Sequence, residues 1–542
     1  MPRTPAHVSL LPRQRTSPTR VIFALAFWVC LMVGAPVAVQ GDIRLPKFFC
    51  DSMVLQRQAD VHLVGTAEPD EPLLLVITGT AIETREIKTV CDAEGKFSLK
   101  FAPPPVGGPY ELTLTGKTSK VVIRDVLVGD IWLCAGQSNM AWPNSKTPPE
   151  EIGATETARP NLRLFTVPPT ASPQPLEDVN GSVAWTSSTA ESAAEYSAVA
   201  WHFGSVLEQE LQVPIGLIHT SWGGTKAESW LSTNALTSDA NLQSLLETAK
   251  LVGENGKPQD QPGSLYNGMI APLREFPIKG VIWYQGEANV GRGAQYGTLL
   301  PTLIRDWRQH WNAPQLPFLF VQLAPYRYKS HSTHALPELW DAQLTTCKTV
   351  PRTGMAVVLD LGNADDVHPV HKQEVGRRLS AWALAEVYHG NRLFPVETTT
   401  ESSATVETTA TAIQDVTQPL SEREPVPDRE SPAEEKPYSG PLFRTASVEE
   451  NRIVVEFYAD QGLQSADGQP LREFLLAGDD QVFHPATAVV EGNRIVVTSE
   501  HVARPIAVRY CWNDTPNANL VNAAGLPASP FRSDSLPFPS TK

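Results

Sequence analysis

Ser138 stands two residues past Gly136 at the end of an apolar run, Val126 to Cys134, and that spacing sets up a nucleophile. A buried strand that stops at a glycine and turns sharply into a helix projects the hydroxyl of the turn outward. Met140 occupies the place of the second glycine in the Gly-x-Ser-x-Gly elbow, so the α/β-hydrolase fold is not the expectation. The plain alternative is a Gly-Gln-Ser-Asn turn without chemistry. An unactivated hydroxyl is a poor nucleophile near neutral pH, so ester cleavage by Ser138 requires a base for its proton and donors for the oxyanion. His368 is the base candidate, with Asp366 two residues before it; His219, His310 and His371 are read as surface or packing residues. Glu287 has two readings. A paired-carboxylate glycosidase would use it with a second acid, but no second acid sits in a comparable block and Ser138 would go unexplained. A structural or substrate-orienting role is expected instead.

Four blocks occur in order: Gly136-Gln137-Ser138-Asn139-Met140; Ser221-Trp222-Gly223-Gly224-Thr225 with Glu228-Ser229-Trp230; Trp283-Tyr284-Gln285-Gly286-Glu287-Ala288-Asn289; and Asp366-Val367-His368-Pro369. Together they resemble the sialate O-acetylesterase family of SGNH hydrolases. The likeness runs from Met53-Val54-Leu55-Gln56 to Gly525-Leu526-Pro527-Ala528-Ser529-Pro530-Phe531-Arg532, nearly the whole mature chain. The resemblance implies a catalytic set of Ser138, His368 and an orienting acid. The wider superfamily spacing points to Asp365 and the sialate-esterase block to Asp366, with Asp360 at a strand end as a third candidate; Asp366 is chosen, and some relatives manage with a Ser-His dyad. The oxyanion hole is expected to combine the backbone N–H of Ser138, a backbone N–H at Gly223 or Gly224 (Gly224 is chosen), and the amide of Asn289. Tight turns are the alternative for the glycines and a helix cap for Asn289. Gln137, Gln285 and Glu287 are assigned to substrate binding. Trp222, Trp230, Trp283 and Tyr284 are read equally as sugar-facing walls or core.

The elements that must position these residues are those of an α/β fold. After Ser138, strands and helices alternate, the pattern of a parallel sheet covered by helices. Strands are expected at Pro214–His219, Gly280–Tyr284, Phe318–Leu323 and Met355–Asp360, with helices at Ala194–Leu211 and Pro369–Tyr388, the latter ended by Gly390. Ser138, Gly224, Glu287, Asn289 and His368 each follow a strand, and in open parallel sheets ligands bind beyond the carboxyl ends of strands. The expected architecture is an SGNH-hydrolase-like three-layer parallel sheet with flanking helices, plus N-terminal and C-terminal β-rich units. Short strands such as Val61–Val64, Pro72–Ile77 and Tyr110–Leu114 mark the first β unit, and Arg452–Phe457, Arg494–Val497 and Ile506–Tyr510 the second.

At 542 residues the chain exceeds one core, and the expected divisions are a signal peptide at 1–41, a β-sandwich at 42–123, the esterase domain at 124–395, a linker or insertion at 396–437 and a β-rich domain at 438–542. The first segment carries Arg3, Arg13, Arg15 and Arg20 before an apolar run from Val21 to about Val39, a secretory pattern with a single-span anchor as the alternative. A secreted or periplasmic protein follows, without stable membrane insertion of the mature chain. The segment from Val396 is rich in Thr, Ser, Glu and Pro and has no core-forming pattern. A net charge of −15 argues against nucleic-acid binding, which needs a basic surplus. Five cysteines remain after Cys30, scattered and odd in number; free thiols are expected rather than a disulfide framework or zinc site, with Cys50–Cys91 the one pairing to test.

The expected function is a serine esterase that removes O-acetyl groups from carbohydrates, either sialic acid or acetylated polysaccharide and oligosaccharide, through an acetyl-enzyme, with no cofactor and no metal. A non-catalytic carbohydrate-binding or scaffold protein is the alternative. A dedicated sialate pocket should offer a cation, best an arginine fork, to the substrate carboxylate. No arginine lies in the four blocks, the nearest being Arg274, Arg292 and Arg377, so the expectation leans toward neutral acetylated sugars.

Overall fold

The fold is organised around strand β1 (Lys120–Gly136), whose burial changes character along its 17 residues. Lys120, Arg124 and Asp125 are exposed, whereas every residue from Val126 to Gly136 is buried. The first half pairs antiparallel with Gly107–Thr115, in a sheet with one solvated face. The second half enters a parallel sheet covered on both faces, where a strand is apolar throughout. The computed structural model describes residues 42–155, 157–252, 257–394 and 437–537. The expected signal segment, 1–41, and the linker segment 396–437, its last residue apart, lie outside them.

The parallel sheet contains β2 (Arg159–Thr166), β3 (Ile215–Ser221), β4 (Gly280–Tyr284), β5 (Phe318–Val321) and β6 (Thr353–Ala356), in the order β6-β5-β4-β1-β3-β2, with an antiparallel strand, Thr186–Ser188, beyond β2. From β1 the chain fills one side of the sheet, then crosses to the other, so the switch in strand order falls beside β1. A crevice opens there at the carboxyl ends. Helices α1 (Ser138–Ala141), α2 (Ala198–Leu211), α3 (Gly293–His310), α4 (Ala335–Thr349) and α5 (Lys372–Trp382) follow. Helix α2 packs on α5 and α3 on α4; Phe203 of α2 meets Trp132 and Trp307 of α3 meets Trp283, and those two strand residues point to opposite faces of the sheet, so the pairs lie on opposite sides.

Two helix starts differ from expectation. Helix α2 begins at Ala198 rather than Ala194, because the Ser197 hydroxyl accepts the Ala200 N–H (3.2 Å) and a separate short helix, Ala190–Ala194, precedes it. Helix α5 begins at Lys372, leaving Pro369 outside, because the buried Glu151 carboxylate accepts the Gln373 N–H (2.9 Å) and fixes the first turn there. The last strand also ends early, at Ala356. Arg378 takes the Val357 carbonyl (2.6 Å) and both oxygens of Asp360 (2.6 and 2.7 Å), drawing the chain off the sheet.

The flanking β units are tied directly to this sheet. Val54–Gln56 pairs parallel with residues 127–129 of β1, and Gln56 and Arg57 both bond the buried Asp130. The position expected to divide two domains, 123/124, lies within β1 itself. The C-terminal unit has two four-stranded antiparallel sheets. It reaches the catalytic layer through Gln322 to Ser529 (2.8 Å), Arg532 to Asp341 (3.1 Å), and Asp514, which accepts the backbone N–H groups of Tyr326 and Tyr328. Cys50, Cys91, Cys134, Cys347 and Cys511 are free thiols, and the Cys50–Cys91 pairing is not formed.

Candidate active site

Strands β3 and β4 end level with Gly136, which sits opposite Ser221 on one side and Tyr284 on the other. The Trp222 N–H donates to the Gly136 carbonyl (3.1 Å) and the Gln137 N–H to the Tyr284 carbonyl (3.0 Å). Gly136 has φ +145°, and a Cβ there would lie 2.1 Å from the Tyr284 oxygen, so only glycine permits the turn. The chain then enters α1 with Ser138 as its first residue, where a backbone N–H has no acceptor within the helix. Gly223 comes alongside: a Cβ on it would stand 3.3 Å from the Ser138 Cβ. Gly224, at φ +73°, completes that turn in the left-handed region.

His368 Nε2 lies 2.9 Å from Ser138 Oγ, and its side chain is 29% exposed. Of the three candidate acids Asp366 alone faces it, with Oδ1 at 3.5 Å from Nδ1 while also accepting the His368 N–H (2.9 Å). Asp365 pairs with Arg327 at 3.2 Å, and Asp360 is held by Arg378. Burial lowers the His368 pKa below its usual 6.5, the nearby Lys372 ammonium lowers it further, and Asp366 opposes both. The imidazole is therefore kept neutral and able to accept a proton. A second Ser-His contact, His219 Nε2 to Ser221 Oγ at 2.6 Å, is no rival. Ser221 is buried, and burial pushes His219 down to about 4, too weak a base.

Asn289 is fully buried, and its orientation is determined by what surrounds it. Its oxygen accepts from the Ala227 N–H (3.0 Å) and Gln285 Nε2 (2.7 Å), while its nitrogen donates one proton to Glu228 Oε2 (3.0 Å). Glu228 is held in turn by Arg292 (2.8 Å). Among the described residues no hydrogen bond joins Asn289 to Ser138. Gln137 and Gln285 are 3% and 0% exposed, Gln137 Oε1 accepting from the Ala288 N–H (3.4 Å) and Gln285 donating to the Thr225 carbonyl (3.1 Å). Both brace the loops that carry the site. Glu287 accepts from the Asn139 amide, and its Oε2 has no hydrogen-bond partner among the described residues. Trp230, Trp283 and Tyr284 are core, the two indoles meeting edge to face at 5.9 Å.

The structure adds residues that sequence reasoning passed over. The Trp142 ring stacks on His368 at 5.3 Å and 24°, supplying an aromatic wall from four residues past the serine. Lys372 lies fully buried beneath the site and donates to Asn139 Oδ1 (2.5 Å). Its one sequence signal is a lysine in the first turn of a helix, where the dipole disfavours positive charge and another partner must compensate.

The chain matches the family model described as carbohydrate esterase, sialic acid-specific acetylesterase, over residues 128–385, which holds the candidate serine, histidine and oxyanion residues together. It is 30% identical to mouse sialate O-acetylesterase over 423 residues, 67% of this chain and 77% of that one. To the human sialate O-acetylesterase it is 31% identical over 390 residues, 66% of this chain and 73% of that one. A crystal structure described as a novel carbohydrate acetylesterase from Xanthomonas citri superposes with a TM-score of 0.75 at 33% identity, covering 91% of this chain and 100% of that chain. A relative 30% identical over two thirds of the chain, together with a family match whose span includes Ser138, Asn289 and His368, shows that the chain belongs to the sialic acid-specific acetylesterase family of carbohydrate esterases.

Proposed function

We propose that this carbohydrate esterase removes O-acetyl groups from sugars by serine catalysis, with Ser138 as nucleophile, His368 as base and Asp366 as the orienting acid. His368 Nε2 takes the Ser138 proton as Oγ attacks the acetyl carbonyl. It then returns that proton to the leaving sugar oxygen, leaving an acetyl-serine. Water attacks next, losing a proton to Nε2, and acetate leaves as the proton passes back to Oγ. The oxyanion is held by the N–H of Ser138, the N–H of Gly224 and the second amide proton of Asn289, whose direction Glu228 and Gln285 fix in advance. The observation that carries this reading is the 2.9 Å contact between a partly exposed imidazole and Ser138 Oγ at the switch point of the sheet. Hydrolysis of p-nitrophenyl acetate and labelling by a serine-reactive phosphonate test it. Ser138→Ala and His368→Ala are expected to abolish turnover in folded protein, and turnover surviving in Ser138→Ala refutes it.

Neutral acetylated sugars are the proposed substrates, in preference to sialate. Arg292 is spent on Glu228, Arg377 on Glu374, and Arg274 lines a different cleft of about 970 Å³ with Tyr266 and Asp306. Exposed Lys146 stands over the Trp142 ring at 5.7 Å, a point charge without the planar fork that matches a carboxylate. Competition between 9-O-acetylated sialic acid and acetylated xylo-oligosaccharides, scored by kcat/KM, decides; a strong sialate preference overturns the choice of sugar and leaves the esterase intact. No helix among the described residues is long and apolar enough to cross a membrane. Export with removal of 1–41 is proposed from that segment's arginines and apolar run, and N-terminal sequencing of exported protein should begin near Asp42. We propose 124–395 as the catalytic unit, sharing strand β1 with the β unit at 42–123, with a further β unit at 438–542.

A further inference from the structure

Asn139, the residue after the nucleophile, uses its whole amide on three separate elements. Its oxygen accepts from Lys372 Nζ (2.5 Å) at the start of α5. Its nitrogen donates to Glu287 past the end of β4 and to the carbonyl of Val367 (3.0 Å), the residue before His368. We propose that Lys372, joined to Glu287 through the Asn139 amide, is a positioning residue that holds the His368 loop against the nucleophile turn. The proposal rests on Ser138 and His368 being the reacting pair.

Packing alone does not account for a lysine here. Lys372 is 0% exposed, and burying an ammonium costs heavily unless it is paired. Its first-turn position in α5 also sets the charge against the helix dipole. What offsets this is the Asn139 oxygen, the faces of Tyr284 (5.3 Å) and Trp142 (5.8 Å), and the carboxylate of Glu287 beyond the amide. Trp142 is the ring that stacks on His368, so Lys372 meets the imidazole's surroundings from below as well as through the Val367 backbone. An apolar side chain of the same length would fill the space without setting the direction of the Asn139 amide. If that amide turned, its hold on the Val367 carbonyl would be lost.

The charged and titratable groups around Lys372 come from every neighbouring element. Glu287 follows β4, Tyr284 ends it, Asp366 and His368 belong to the histidine loop, and Glu151 comes from the short helix Pro149–Gly153. Glu151 is committed to the start of α5, accepting the Gln373 N–H (2.9 Å) and facing His371 Nδ1 (3.4 Å), and Lys146 approaches His368 from outside. Burial brings Lys372 down to about 7 and raises Glu287. The Lys372 charge also disfavours imidazolium at His368. Removing it therefore has two separable effects: the loop loses its brace, and the histidine becomes easier to protonate.

The test is the kcat and KM of full-length Lys372→Met for p-nitrophenyl acetate across pH, beside wild type and Ser138→Ala, with thermal melts to confirm folding. The expected result is a fall in kcat of about tenfold or more with KM changed by less than about twofold, as for a misplaced catalytic group. The acid limb of kcat/KM is expected at higher pH than in wild type. Asn139→Ala should lower kcat similarly, and the double variant should fall little further, since both act through one amide. Wild-type kcat and an unmoved acid limb in folded Lys372→Met overturn the inference while Ser138→Ala is dead. Activity in Ser138→Ala overturns the serine reading beneath it. Should Lys372→Met fail to fold, Glu287→Gln keeps the shape and removes the partner charge. A kcat fall at constant KM then supports the brace, and wild-type kcat overturns it.

Discussion

Replacing Asp366 by asparagine measures how much of the work of the acid survives at 3.5 Å and 53% exposure. A carboxylate at that distance from an imidazolium is worth about 1 kcal/mol at the dielectric of water and about 5 kcal/mol at an effective dielectric of 20. Half-exposure places Asp366 toward the wetter limit, so about 1–2 kcal/mol of transition-state stabilisation is at stake, about tenfold in rate. A buried orienting aspartate in a serine protease, by contrast, is worth about ten thousandfold. The N–H of His368 also donates to Asp366 Oδ1, and an asparagine oxygen can keep that bond, so the loop should hold its shape. Because Asp366 raises the histidine pKa while burial and Lys372 lower it, the variant should also carry its acid limb to lower pH. The assay is kcat/KM for p-nitrophenyl acetate from about pH 4 to about pH 8, the range in which histidine titrates. Asp365→Asn is the internal control: its carboxylate is turned to Arg327, and a change within about twofold is expected, as for surface ion pairs. A ten-thousandfold loss, an acid limb displaced upward, or a larger loss in Asp365→Asn would each refute the reasoning.

In the wild type, kcat/KM should be flat near neutrality and fall as pH drops through a value below 6.5, because the base must be neutral and its folded pKa lies below the ordinary one; a limb centred above 6.5 in a pH-rate series contradicts this. Gly136→Ala should destabilise the fold by at least about 3 kcal/mol and abolish esterase activity, since a Cβ at φ +145° meets the Tyr284 carbonyl at 2.1 Å. A urea melt and the p-nitrophenyl acetate assay read both, and near-wild-type stability would show that the turn can relax.

Much of this site was legible because its signals are local. The apolar run into Gly136, the serine after it, and the strand-helix alternation downstream are each carried by neighbouring residues, and a parallel sheet then leaves only its carboxyl edge for the loops. Ser138 and His368 could be named for the same reason, although their meeting depends on a contact 230 positions apart. Helix starts were less legible, because Glu151 decides where α5 begins from over two hundred residues away, and no periodicity records that.

By itself the sequence determined the alternation of strands and helices, the glycine at which the first buried strand turns, and the residue types able to attack an ester. Only the tertiary structure decided how polar side chains are spent. It turned Gln137 and Gln285 inward, engaged Arg292 with Glu228, brought Asp366 rather than Asp365 or Asp360 to face His368, and set Lys372 beneath the histidine. The physical reason is that apolar patterning reports burial averaged over a face, whereas a hydrogen bond or ion pair depends on the direction of one group relative to another far along the chain.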